Sequence, residues 1–478
     1  MTHPATPDGP VPPPGCPAHA GAAKLYGPQF AQDPAATYER LRANGPFAPV
    51  ELAPGVEATL VTGYEAALRV LRGTDAFGKD ARRWKALNEG RIPADSPILP
   101  MMIHRPNAFF AEGDEHRRLR GAIDDSLRNI DPGALRAAIE RSADAIIDRF
   151  ADKGEADLLG DYAKELPLRV VTQLFGSTPD IGDRLYTGIR NMYDGIEPEA
   201  ANAMVGQAVM DLIALRRAEP GNDIVTWLTQ HESKLTEAEL IDQLVVMIGA
   251  STEPQQNLIT NALRLLLADD RFGGSLNGGS LPVEDALDEV LWTDPPLANF
   301  APHYAFQDVE IDGHVLAAGT PIIISFAAAT TDPTLINDKR AGNRAHLSWS
   351  AGPHGCPAQR EARIIASVAI ERLLDRLPDV ELAVPVGALT WREGPFHRSL
   401  TALPVRFPPV APVRPVLPPE TSPEHSGDSR WTASSSPATA PRTSSTPQEP
   451  TSPARPSGSP SGRPRRPWSF LARWWRGR

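Results

Sequence analysis

Two cysteines occur in 478 residues, and one of them, Cys356, sits in HLSWSAGPHGCPAQREARIIA, residues 346–366. Gly352, Pro353 and Gly355 make its approach unsuited to regular structure. After it, Ile364, Ile365, Val368, Leu373 and Leu374 fall near a 3.6-residue period, with Arg360, Glu361, Arg363, Glu371 and Arg372 between them, which predicts a helix. Pro357 fits a first helical position, where its missing N–H costs nothing. Cys356 is therefore expected at a helix N-terminus, where free N–H groups and the dipole favour an anion. A thiol there is drawn toward thiolate, the form that ligates metals. The alternative is an inert core cysteine, the commoner fate of a lone one, although a core residue needs no glycine-rich approach.

The elements that must position this loop read mainly as helices. TYERLRANG, YEAALRVLRG, EHRRLRGAIDDSLRNI, GALRAAIERSADAIIDRFADKG, EAELIDQLVVMIGASTEPQQNLITNALRLLLAD and VEDALDEVLW all place apolar residues three and four apart. Strand patterns are few and short: EATLVTG, YAFQDVEIDG, HVLAAGTPIIISF and TALPVRF. The expected fold class is mainly α with small β-sheets. No repeat or linker interrupts residues 23–407, which are expected to form a single large domain. Residues 1–22 are expected to be disordered.

The net charge of −11 argues against nucleic acid as a partner. Residues 408–478 carry ten Arg against four acids, net +6, which leaves −17 on residues 1–407. That tail also holds 16 of the 50 prolines with many Ser and Thr, a composition that cannot bury a core, so residues 408–462 are expected to be a disordered linker. Its end, residues 463–478, is different: RPRRPWSFLARWWRGR has six Arg, no acid, and Trp468, Phe470, Trp474 and Trp475. Arg with aromatics suits an anionic membrane surface or an acidic partner; an end without a partner is the plain alternative. Two cysteines exclude a disulfide framework and a multi-cysteine zinc site. The chain opens without a secretory pattern and has no apolar run near the roughly 20 residues a span needs. The expected location is cytoplasmic, peripheral to the membrane if the tail binds one.

WSAGPHGCPA resembles the cysteine-ligand loop of the cytochromes P-450, the haem-thiolate monooxygenases. Trp349, Ser350, Gly352, His354, Cys356 and Ala358 match its pattern in register. The resemblance implies that Cys356 is the proximal ligand of the iron in haem b, a thiolate that pushes electron density onto it. LVVMIGASTEPQQNLI resembles the helix crossing the distal face of the haem. Gly249 matches its small-residue position, and Thr252 the alcohol that aids proton delivery. FFAEGDEHRRLR resembles the helix that holds a haem propionate, with His116 and Arg120 four apart on one face. His303 stands where the family often has a propionate-binding Arg, and His354 at the basic position of the cysteine loop. The resemblance further implies insertion of one oxygen atom of O2 into an apolar small molecule. Electrons would come from a ferredoxin and, through its reductase, from NAD(P)H. Arg360 and Arg363 are expected to face the ferredoxin, and Phe109, Phe110, Met247 and Phe396 to line the substrate space.

Three stretches depart from the family. In DEVLWTDPP, Glu289 of the family's Glu-x-x-Arg is present, but Trp292 takes the Arg position. An actinobacterial subgroup with Trp there is similar. Glu289 is left three options: exposure or protonation, a partner in Arg340 or Arg344, or a loop held by Trp292 packing instead. Ser251 occupies the place of the family's acid before the alcohol, and Glu253 follows the alcohol. One residue turns a helix by about 100°, so Glu253 does not simply replace that acid. Thr330 and Thr331 replace an Asn-Arg pair in AAATTDP. The missing Arg and displaced acid favour an alternative, a haem-binding sensor or scaffold with little or no oxygenase turnover. Peroxide-driven oxidation, and a zinc site from His346, His354 and Cys356, are further readings.

Overall fold

The computed structural model describes residues 22–194, 197–269, 283–335 and 342–413. The expectations for residues 1–21, for nearly all of the linker and for the basic aromatic segment lie outside the described residues. Helices dominate, as expected. Six of them form the site and the core behind it: α1 (Gly113–Arg128), α2 (Pro132–Ile147), α3 (Glu165–Leu174), α4 (Glu237–Ala268), α5 (Val283–Thr293) and α6 (Gln359–Arg376). Helices Pro179–Asp194 and Pro198–Ala218 pack on each other. Among the described residues, no helix is long and apolar enough to cross a membrane.

Local chemistry sets the helix limits. Thr236 caps α4 through its hydroxyl, which accepts the Glu239 N–H, while the Glu239 carboxylate accepts the Thr236 N–H. Asp131 caps α2 through its carboxylate alone, which accepts the Ala134 N–H, with Pro132 at the first helical position. Pro254 does not break α4, although it supplies no N–H to the carbonyl of Ala250. The helix survives because its far half is packed all round: Leu258, Ile259, Ala262 and Leu263 are buried in one core with Ile139 and Ala143 of α2, Val170 of α3, Leu287 of α5 and Val368 of α6. Burial of that apolar area, at about 25 cal/mol per Å², outweighs one missing hydrogen bond.

The largest sheet joins β1 (Ala23–Lys24), β2 (Phe47–Ala53), β3 (Val56–Val61), β4 (Phe77–Gly78), β5 (Asn299–Ala305) and β6 (Ile322–Ser325) in the order β1-β2-β3-β6-β5-β4. A parallel pairing of Thr59 with Ile322 brings its two sequence-distant halves together. The β5–β6 register shifts between Phe300 and His303, where Ala301 has φ +50°. Such an irregularity re-aims the side chains that follow, and His303 ends up buried. A three-stranded and a two-stranded sheet complete the β structure.

The cysteine loop is irregular, as predicted, but its junction with the helix is not. A 3-10 turn spans Gly352–His354, and α6 begins only at Gln359 with Ala358 as its cap. Pro357 is therefore not a first helical residue, and Cys356 precedes the helix by a further turn. The loop closes on itself instead: Cys356 N–H donates to Trp349 O at 2.8 Å, and Gly355 N–H to Gly352 O at 3.0 Å. Gly352 has φ +70°, and a Cβ there would lie 2.3 Å from Leu71 O. Gly352→Ala is therefore expected to cost at least about 1–3 kcal/mol, read as a lower melting temperature. Gly355→Ala, whose Cβ would stand 3.3 Å from its nearest neighbour, should cost less.

Candidate functional site

Helix α5 grips both arms of the cysteine loop. On the incoming arm, Trp292 Nε1 donates to Asn343 O at 2.8 Å, its ring meets His346 edge to face at 5.8 Å, and Ser348 Oγ donates to Leu291 O. On the outgoing arm, Arg363 of α6 pairs with Asp288 at 2.6 Å and with Glu284. Acids 284 and 288 lie one turn apart on one face, so a single guanidinium reaches both. Glu289, one residue on, is turned about 100° away; it is half-buried and not without a partner. Arg340 lies outside the described residues. Of the three options for Glu289, Trp292 packing on the loop is the one observed directly. Arg363 is correspondingly buried in ion pairs, which corrects the expectation that it faces a ferredoxin. Arg360 remains half exposed, beside Glu361.

Four elements converge on the other side of the loop. Lys79 comes from the end of β4, His116 and Arg120 from α1, His303 from β5, and His354 from the loop itself. The His116 and His354 rings lie 4.0 Å apart, and Arg120 donates to Pro353 O at 3.2 Å and to Asp124 at 2.7 Å. His303 Nδ1 pairs with Ala301 O at 2.7 Å. Burial pushes the Lys79 ammonium down to about 7. Burial also lowers His116, His303 and His354, and the charges of Lys79 and its neighbours lower them further. Lys79 Nζ and His116 Nε2 are buried without a hydrogen-bond partner. Sequence reading missed Lys79, because FGKDARR looks like a solvated charge run; only the fold shows that its ammonium is buried, 4.4 Å from the centre of the Phe109 ring.

Cys356 is partly exposed. Burial of its sulfur raises the thiol, against the lowering by the Ala358 N–H and by Arg120. Burial thus outweighs the lowering expected at a helix N-terminus, and α6 begins only at Gln359. On α4, Thr252 is buried and its hydroxyl donates to Ile248 O at 3.0 Å; Ser251 donates to Met247 O at 2.6 Å. A Cβ added at Gly249 would meet nothing within 4 Å. Glu253 turns to the C-terminal segment, paired with Arg392 and with His397 Nδ1 at 3.6 Å. Burial opposes its ionisation, but His397, Arg392 and Lys164 outweigh it and hold the carboxyl below its ordinary range, although burial also disfavours the charged form of His397. Glu253 does not take the place of the missing acid at Ser251.

These groups fit a haem. A thiol ligand stands beside a cradle of buried donors that lack acceptors, as two propionates require. A zinc site from His346, His354 and Cys356 does not assemble: His346 packs on Trp292 and His354 on His116.

No protein-family model matches the chain. Individual relatives do. The 2-hydroxy-5-methyl-1-naphthoate 7-hydroxylase of Streptomyces carzinostaticus is 30% identical over 362 residues, 72% of this chain and 88% of that protein. The cytochrome P450 monooxygenase PikC of Streptomyces venezuelae is 30% identical over 80% of this chain and 92% of its own length. Among solved structures, CYP154A1 from Streptomyces coelicolor superposes with a TM-score of 0.70 at 29% identity, covering 81% of this chain and 100% of that one.

Lys79→Met is expected to act with opposite signs in two states. With haem it removes a propionate partner, so haem is lost faster to an excess of apomyoglobin. In protein prepared without haem it removes a buried unpaired charge and should stabilise. The folded value near 7 lies below the ordinary 10.5, so unfolding takes up a proton between them. Stability of the haem-free protein should rise across that pH window, and the variant should lose the rise.

Proposed function

Because the chain belongs to the cytochromes P450, haem monooxygenases that draw NAD(P)H-derived electrons through redox partners, we propose that it oxidises an apolar small molecule with a ferredoxin as immediate donor. The observation that carries the site assignment is the convergence of Lys79, His116, His303 and His354, with two unpaired buried donors, beside Cys356. The named relatives are hydroxylases and monooxygenases, so the sensor or scaffold reading is not favoured.

In this assignment each side chain has a defined task. Cys356 ligates iron, and the Ala358 N–H softens the charge on its sulfur. The four cradle residues and Arg120 hold the propionates. When bound, haem supplies the redox chemistry that splits O2, placing one atom in the substrate and the other in water. Thr252 holds a proton at its hydroxyl, which donates to Ile248 O and would have to leave that bond to deliver it. Trp292 positions the loop in place of the missing Arg. On the proximal side, a groove of about 260 Å³ is lined by Asp124, Leu127, Arg128, Pro357, Arg360 and Glu361. Its arginines are paired with acids of the chain, Arg128 with Asp125 and Arg360 with Glu361, so a ferredoxin docked there would exchange acids for those partners. Phe109, Phe110 and Phe396 cluster with Phe300 and supply apolar surface.

Reconstitution with a surrogate ferredoxin and reductase tests the function. A ligand is first found by its Soret shift. The natural protein should consume NADPH and O2 in step with product. Thr252→Ala should keep NADPH consumption but lose product by about tenfold or more, with peroxide appearing instead. Equal product from both proteins contradicts the role of Thr252. Trp292→Ala should cost about 3–5 kcal/mol of stability and a large share of bound haem, by melting and by haem content.

A further inference from the structure

The groove between the end of α1 and the start of α6 holds two arginines, and the chain binds them in unequal ways. Arg128, in the last turn of α1, is 72% exposed and pairs with Asp125, one turn back and 46% exposed. Arg360 is also half exposed, but its partner Glu361 is only 7% exposed. Arg360 Nη2 donates as well to Leu127 O at 3.5 Å and to Ile130 O at 3.3 Å, carbonyls at and just after the end of α1. It therefore closes that helix end and neutralises a buried acid.

Taking each arginine away has different consequences. Without Arg360, Glu361 would be a buried carboxylate that has lost its cation, the costly case. Without Arg128, Asp125 keeps a partner. Its other oxygen, Oδ2, lies 3.1 Å from His231 Nε2, on the turn before α4. His231 Nδ1 faces Ser233, whose N–H it accepts at 3.1 Å. The neutral ring therefore carries its proton on Nε2 and donates it to Asp125. The His231 bond comes ahead of Arg128 in holding the Asp125 carboxyl below its ordinary range. Arg128 can leave for another acid with little loss, and Arg360 cannot.

Resting on the reading of this groove as the ferredoxin's place, we infer that Asp125 is an intramolecular competitor: it occupies Arg128 until a carboxylate of an acidic ferredoxin displaces it onto His231, while Arg360 stays locked and only shapes the groove. The surface is not a bare positive patch. Asp124 and Glu361 line the groove with the two arginines, and Asp124 is itself paired with Arg120. A partner is therefore selected by exchange of one acid for another rather than by bulk attraction. A weakly acidic surface cannot displace an acid already in place, which makes the contact a device of specificity.

The test is equilibrium binding of a plant-type two-iron ferredoxin to the haem-loaded protein at fixed ionic strength. Asp125→Asn should bind it more tightly than the natural protein by about two- to fivefold, the worth of one exposed ion pair. Arg128→Gln should bind it more weakly by a similar factor. Added to Arg128→Gln, Asp125→Asn should gain nothing further, because the pair is already broken. The same gain in both backgrounds would reflect only one negative charge fewer near an acidic partner, and overturns the competitor. His231→Ala should weaken binding, with no effect once Asp125→Asn is present; binding equal to that of the natural protein overturns displacement onto His231. Melting separates the two arginines: Arg360→Gln should lower the melting temperature and Arg128→Gln should leave it unchanged. Equal melting of the two variants overturns the division between them. Ferredoxin bound neither by the natural protein nor by Asp125→Asn would overturn the docking reading itself, a failure distinct from the others.

Discussion

A sulfur that must stay at one place on a loop without regular structure needs its position imposed from outside, and helix α5 imposes it. Trp292 and Leu291 hold the strand of chain entering the loop, while Asp288 and Glu284 hold Arg363 on the chain leaving it. Gly352 seats the middle against Leu71 O, where no Cβ fits. The loop is thus fixed at its entry, its centre and its exit, by a helix that is itself buried along Leu287, Val290 and Leu291. One face of α5 supplies the two acids and a neighbouring face the indole. The positioning of the loop is thus divided between an aromatic ring with one N–H and the ion pairs of Arg363.

The candidate cradle beside Cys356 is made of groups that tolerate burial poorly. A lysine lowered from 10.5 to about 7 carries a penalty of roughly 5 kcal/mol in the folded state at low pH. Three imidazoles beside it are pushed toward neutrality. Nothing in the apolar packing asks for this concentration of basic groups. It suits a partner that brings negative charge into the same space and returns the lost interactions. The local instability would be offset by carboxylates bound among these donors, two of which, Lys79 Nζ and His116 Nε2, are buried without a partner.

Much of this was legible in the sequence, and the exceptions have physical causes. The cysteine loop could be read because glycine and proline punctuate it and an amphipathic helix follows. The long helix α4 could be read from spacing, and Thr252 on it only from the resemblance. The exit from the loop was misread: Pro357 looked like a helix start, but the turn through Gly355 delays α6 to Gln359. Arg363 was placed on the surface because its periodic position is polar; its acids, Glu284 and Asp288, lie far back in the chain. The helix Pro179–Asp194 was overlooked because Gly182 and Gly188 blur its period, and α3 because Pro167 interrupts it. Strands β2 and β5 belong to a sheet whose pairings join residues more than 250 apart, which no local pattern reveals. Lys79 was invisible for the same reason: its meaning comes from His303 and His354, not from its neighbours in sequence.

The central claim is that Cys356 carries iron through a thiolate even though Trp292 replaces the usual Arg. The measurement that addresses it most directly is the carbonyl difference spectrum of the dithionite-reduced protein, recorded for the natural chain and for Cys356→Ser. A strongly red-shifted Soret band in the natural protein, absent from the variant, is the result this account predicts. A band typical of a neutral or imidazole ligand, the same band in both proteins, or no bound haem at all would contradict it.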